Sequence, residues 1–168
     1  MADVTDRDLH WLRYAFTLAE RSTDGGDQPY GAVLVGPDGE SLVEEMNTRA
    51  TSGDATGHAE LRAVSAASRR WPREFLVGCT LYSSAEPCPM CAGAIGWGGP
   101  GRVVFGLSKS AEYALGLSAG PPRFRDPGLA RAILGSLEPP IEVVGPLLED
   151  DARRPHLRWA AMQSKISG

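Results

Sequence analysis

The stretch Leu81-Tyr82-Ser83-Ser84-Ala85-Glu86-Pro87-Cys88-Pro89-Met90-Cys91 passes from an apolar run into a proline-flanked pair of cysteines. Cys79 to Ser83 reads as a buried strand, because small and apolar side chains dominate it. Pro87 to Trp97 reads as a helix opened by proline, whose missing amide is tolerated in a first turn. Two intervening residues let Cys88 and Cys91 face one point from that turn. The positive end of the helix dipole there favours the thiolate form. Such a pair serves in structural zinc sites, in redox chemistry, or in a catalytic metal set.

Upstream, His58 to Arg70 is rich in Ala, Leu, Glu and Arg and predicts a second helix. His58-Ala59-Glu60 stands where the preceding loop enters it. One histidine and two cysteines, His58, Cys88 and Cys91, make a three-ligand zinc set. Three protein ligands leave a fourth position for water, whose pKa zinc brings toward neutrality. Glu60, two residues from His58, is spaced to stand beside that water without ligating and to move its proton, the role of a general acid–base. A structural zinc closes with four ligands, and Cys79 is the remaining cysteine. Its neighbours Val77, Gly78, Thr80 and Leu81 place it at the start of a core strand, so it reads as packing. A non-catalytic zinc scaffold is the reading from another class, and it leaves Glu60 without a purpose.

The rest of the chain supplies a frame. Leu9, Leu12, Phe16 and Ala19 recur at helical spacing and predict a helix over about 6–22. Gly31 to Val35 and Ser41 to Met46 read as strands joined by the turn Gly36-Pro37-Asp38-Gly39, hence a hairpin. Residues 47–57 read as a polar loop. Arg102 to Phe105 reads as a further strand, and 110–136 as helix and loop pieces around Gly120-Pro121-Pro122. Ile141 to Val144 reads as a strand, and Leu147 to Ser164 as a final helix interrupted at Pro155. Helices alternating with strands predict an α/β fold with helices on both faces of a mixed sheet, formed by one domain over 1–168.

Composition narrows the partners. Net charge is −4, and Arg69-Arg70 and Arg153-Arg154 are the only basic doublets, which argues against grip on a long phosphate backbone. Arg123, Arg125 and Arg131 read as solvent-facing. No apolar run approaches the roughly 18 residues of a membrane helix. The polar, acidic start lacks the pattern of a secretory signal, so a cytoplasmic location is expected. Three cysteines, an odd number, argue against a disulfide framework.

The ordered set His58-x-Glu60 followed by Pro87-Cys88-x-x-Cys91 is the signature of the zinc deaminases. With Pro29-Tyr30-Gly31-Ala32, Asn47, Asp54 to Glu60, and Gly93-Ala94-Ile95 with Trp97, the chain resembles the cytidine deaminase-like superfamily over roughly 8–108. Glu86-Pro87-Cys88-Pro89-Met90-Cys91 resembles the branch of guanine deaminases, tRNA adenosine deaminases and fungal-type cytosine deaminases. The resemblance implies a three-layer α/β/α sandwich around a five-stranded mixed sheet, one Zn2+ per chain, and a homodimer. It implies that Asn47 hydrogen-bonds the base, although a turn residue suits that position too, and that the Ala59 amide helps hold a ring atom. Tyr30 stands to stack on a base or to start a strand. Trp97 stands to line the pocket or a dimer seam. Glu112 is the single acid of 110–120, where guanine deaminases of this type carry an acidic pair. Trp159 is placed to close over the site or to pack on the core. The expected substrate is a small nucleobase or nucleoside, guanine-like or cytosine-like. A tRNA-specific adenosine deaminase is the alternative, and the scarcity of lysines weighs against it, since only Lys109 and Lys165 occur.

Overall fold

Thr5 opens the first helix by a reciprocal cap. Its hydroxyl accepts from the Asp8 amide, and the Asp8 carboxylate accepts from the Thr5 amide. The computed structural model describes residues 3–116 and 128–166. In chain order the elements are α1 (Asp6–Asp24), β1 (Gly31–Val35), β2 (Ser41–Met46), α2 (Arg49–Ser52), α3 (Ala59–Ser68), α4 (Arg73–Leu76), β3 (Thr80–Ala85), α5 (Pro89–Gly98), β4 (Arg102–Leu107), α6 (Lys109–Ala114), α7 (Leu129–Gly135), β5 (Glu142–Val144) and α8 (Glu149–Ile166).

The five strands form one sheet in the order β2-β1-β3-β4-β5. β1 runs antiparallel to β2 and to β3, while β3, β4 and β5 run parallel. The period of two along a strand sorts the core into two layers. Ala32, Leu34, Leu81 and Val103 face α3, α5 and α7, with Ala63, Val64, Ile95 and Leu134 packed on them. Val33, Val35, Tyr82 and Val104 face the other way, against Leu12, Ala15 and Phe16 of α1 and Ala152 of α8. The three-layer sandwich around a mixed sheet is therefore the architecture. Helix α1 lies directly on β1 at Gly31, where a Cβ would meet the Ala15 carbonyl and the Leu18 Cβ at 2.5 Å. Only glycine allows that approach.

Three local readings differ. The 47–57 loop contains the short helix α2, which Asp27 caps by accepting from the amides of Ala50 and Thr51. The single turn α4 lies between α3 and β3. Helix α8 is continuous through Pro155 rather than interrupted there. The proline removes one amide near the second turn, and packing of α8 on α1 and β4 carries the helix past it. Arg123, Arg125 and Gly120-Pro121-Pro122 lie outside the described residues. Arg131 is exposed as expected, but its guanidinium donates to the carbonyls of Val143 and Gly145. Among the described residues no helix is long and apolar enough to cross a membrane.

Candidate active site

Two helix starts converge at the C-terminal end of β3. His58 is the N-cap of α3, and Cys88 the N-cap of α5. Cys91 follows in the first turn of α5 and is fully buried. Their donor atoms lie within 4.8 Å of one another. The two sulfurs are 3.6 Å apart, and His58 Nδ1 is 3.7 Å from the Cys88 Sγ and 3.6 Å from the Cys91 Sγ. Tetrahedral zinc would set its sulfurs roughly 3.7 Å apart and its sulfur–nitrogen pairs roughly 3.5 Å apart. The three side chains thus already fit one face of such a tetrahedron. The hydrogen bond between the sulfurs pulls the Cys88 thiol far below the usual range, against its burial and with help from His58. The same bond and burial push the Cys91 thiol up. Its bond to Cys88 raises the His58 pKa.

Glu60 lies in the first turn of α3 and is 5% exposed. Its Oε2 stands 3.7 Å from the Cys91 Sγ, beside the donor set. Burial raises its pKa, and the charge on Cys88 adds to the rise. A carboxyl group held above its ordinary range is suited to taking and giving a proton near neutrality. Ala59 is buried at the first position of α3, where helix amides have no intrahelical partner.

A polar wall faces these groups. The Tyr30 hydroxyl donates to Glu112 Oε1 at 2.9 Å, and the Lys109 ammonium donates to Glu112 Oε2 at 2.6 Å. Lys109 also lies 5.7 Å from the centre of the Tyr30 ring. Its charge is felt at His58 and Glu60, and that of Glu60 at Tyr30, so the wall lies within electrostatic reach of the donor set. The wall is drawn from distant segments. Tyr30 precedes β1, Lys109 and Glu112 lie on α6, and His156 on α8 packs edge-on against Tyr30 at 5.2 Å between ring centres. Glu86, just before the cysteine pair, is 5% exposed and accepts from the amides of Lys109 and Gly128. It ties the cysteine loop to the start of α6 and to the turn before α7. Asn47, 3% exposed, donates to the Gln28 carbonyl and accepts from the Arg49 amide. Its backbone is fixed by the Tyr30 carbonyl and the Ser22 hydroxyl.

Residues 5–107 match the model of the cytidine and deoxycytidylate deaminase zinc-binding region. The chain belongs to this family. As a deaminase of the cytidine deaminase family it is 40% identical over 92% of its length to a probable cytosine deaminase of Schizosaccharomyces pombe, of which 93% is covered. It is 40% identical over 66% of its length to the guanine deaminase of Bacillus subtilis, of which 68% is covered. Its fold is that of the guanine deaminase of Nitrosomonas europaea, with a TM-score of 0.72 and 22% identity over 96% of this chain and 87% of the other.

The deaminase fold does not bring every expected residue together. Trp97 sits at the far end of α5 from Cys88 and is 90% exposed, so it lines no pocket with the donor set. Trp159 is partly buried on α8, and His156, one turn earlier, is the side chain that meets Tyr30. The sequence reading missed the partnership of Lys109 with Glu112 and the place of His156. The spacing of three between Lys109 and Glu112 on a helix was the available signal for the first. No local pattern marks His156.

Proposed function

We propose that this deaminase is a zinc-dependent aminohydrolase of a small, uncharged nucleobase or nucleoside, replacing a ring amino group by oxygen and releasing ammonia. The observation that carries the reading is the wall of Tyr30, Lys109 and Glu112 beside Glu60. Its cation and anion cancel, so it offers a neutral ring hydrogen-bonding groups and offers a phosphate no spare charge. His58, Cys88 and Cys91 would hold zinc, which supplies an activated water when bound. Glu60 takes one proton from water and gives it to the ring nitrogen, then takes the second from the hydroxyl now on the ring carbon and gives it to the departing amino group, so the products are the oxo ring and ammonia. Asn47 and the Ala59 amide orient the ring, and Glu112 accepts from its N–H groups.

Likeness over 92% of the chain to a probable cytosine deaminase favours a cytosine-like ring over a guanine-like one. A cytoplasmic homodimer completes the proposal, and the exposed indole of Trp97 is suited to a subunit seam. The test is ammonia release by the zinc-loaded protein over cytosine, guanine, adenine, their nucleosides, aminated triazines and a tRNA anticodon hairpin. Turnover of a small base with an inert hairpin is expected. Turnover of the hairpin alone would overturn the reading.

A further inference from the structure

We infer that His156 is a specificity-determining residue, whose imidazole Nε2 hydrogen-bonds the ring of the base held in the site. This rests on the reading of the chain as a base deaminase.

His156 is 4% exposed. Its Nε2 is buried and has no hydrogen-bond partner among the described residues. Buried polar atoms are paired in folded proteins, and one left unpaired is unfavourable. Arg153 Nε is the other such atom among the described residues, but it belongs to a half-exposed guanidinium lying near Glu149 and Asp150. His156 is instead almost wholly buried, with Glu112 and Lys109 near enough for their charges to act on it. Its neighbour Tyr30 has committed its single hydroxyl proton to Glu112. The two rings meet edge-on at 80°, a packing contact. The ring of His156 thus lies against the wall that carries Glu112 and Lys109.

Three features keep it there. The Glu149 carboxylate accepts from the Ser108 amide at 3.1 Å, which joins the start of α8 to the start of α6. His156 follows two turns later on the same helix. The edge contact with Tyr30 limits rotation of the ring. Burial holds the imidazole neutral, its pKa pushed down to about 4. A neutral imidazole offers one donor and one acceptor, the complement of a ring edge bearing nitrogen and N–H groups. A paired Lys109 and Glu112 with a neutral His156 make a wall selective for hydrogen-bonding pattern rather than charge.

The experiment compares wild type, His156→Leu and His156→Gln, each zinc-loaded and checked for metal content and thermal midpoint. Cytosine, guanine and analogues with ring nitrogens replaced by C–H are the probes. Turnover gives kcat and KM, and equilibrium dialysis gives Kd. Loss of one hydrogen bond predicts KM and Kd about tenfold higher in His156→Leu, with kcat within about threefold. His156→Gln recovers part of the loss, and one C–H analogue binds wild type and His156→Leu alike. If wild type turns over a base and His156→Leu leaves both constants unchanged, the role of His156 is overturned while the base-deaminase reading stands. If wild type turns over no base, that reading falls. Dialysis then still decides for His156: base bound by wild type and lost in His156→Leu supports it, and no base bound by wild type ends it.

Discussion

Two buried carboxylates lie beyond opposite ends of β4, each between a cation and a tyrosine, and they are satisfied to different degrees. Asp8, near the start of the strand, accepts from the Tyr82 hydroxyl at 2.9 Å, from two nitrogens of Arg102 at 2.6 and 3.2 Å, and from the amide and hydroxyl of Thr5. A carboxylate has about four lone-pair positions, so Asp8 is full. Glu112, past the other end, accepts among the described residues from Tyr30 and Lys109, one donor on each oxygen. The choice of cation follows the same division. Arginine delivers two parallel bonds in a fixed plane, while lysine is a point charge that leaves the acceptor accessible. Saturation marks a carboxylate that holds the architecture. Spare capacity among the described residues is what the proposed role of Glu112 toward a ligand requires.

The largest test of this contrast is Glu60→Gln. It should cost about 10²- to 10⁴-fold in kcat, because the proton carrier is gone. Metal content and thermal midpoint should hold, since only a buried charge is removed. Undiminished turnover would sink the role assigned to Glu60. At the other end, Asp8→Ala should lower the free energy of unfolding by about 3–5 kcal/mol, because Arg102 loses its buried partner. In urea titration its midpoint should fall, while kcat/KM of the folded protein stays within about threefold. Unchanged stability would remove Asp8 from the structural half of the comparison.

Acid sharpens the same point at smaller cost. The Asp8 carboxyl is held down to about 2, against 3.8 for an ordinary Asp, by its bonds to Arg102, Thr5 and Tyr82, which outweigh burial. The folded protein thus binds this proton less readily than the unfolded chain does. The resulting stabilisation, about 2 kcal/mol, is complete above pH of about 4 and is lost as pH falls toward about 2. Unfolding measured against pH should show this loss in wild type and not in Asp8→Asn. The smallest effect belongs to Glu112→Gln. KM should rise about tenfold, with a stability loss well below that of Asp8→Ala. A variant that unfolds while keeping its KM would reverse the comparison.

The metal half of the site was legible in the sequence because it is local. Cys88 and Cys91 share one helical turn, and His58 and Glu60 share another. The hairpin was legible for the same reason, since Gly31 to Val35 and Ser41 to Met46 flank a marked turn. The wall was not legible. Tyr30 and Glu112 are 82 positions apart, and no periodicity along either segment announces their bond. The course of α8 was misread because Pro155 breaks helices in isolation, whereas packing of α8 on α1 and β4 outweighs one lost amide. His156 then takes its meaning from that helix, and a buried nitrogen becomes visible only once its neighbours are known.

The packing of α8 against α1 has a consequence in time. Ribosomes deliver the chain from its beginning at roughly 5–20 residues per second. The apolar stripe of α1 at Leu12, Ala15 and Phe16 emerges first, and its cover at Ala152 emerges after more than a hundred further residues. For that interval of several seconds the nascent chain presents a greasy helix with its late partner still unmade. Cellular holding factors that bind exposed apolar helices would therefore meet this protein at α1, before any metal could be of use to it.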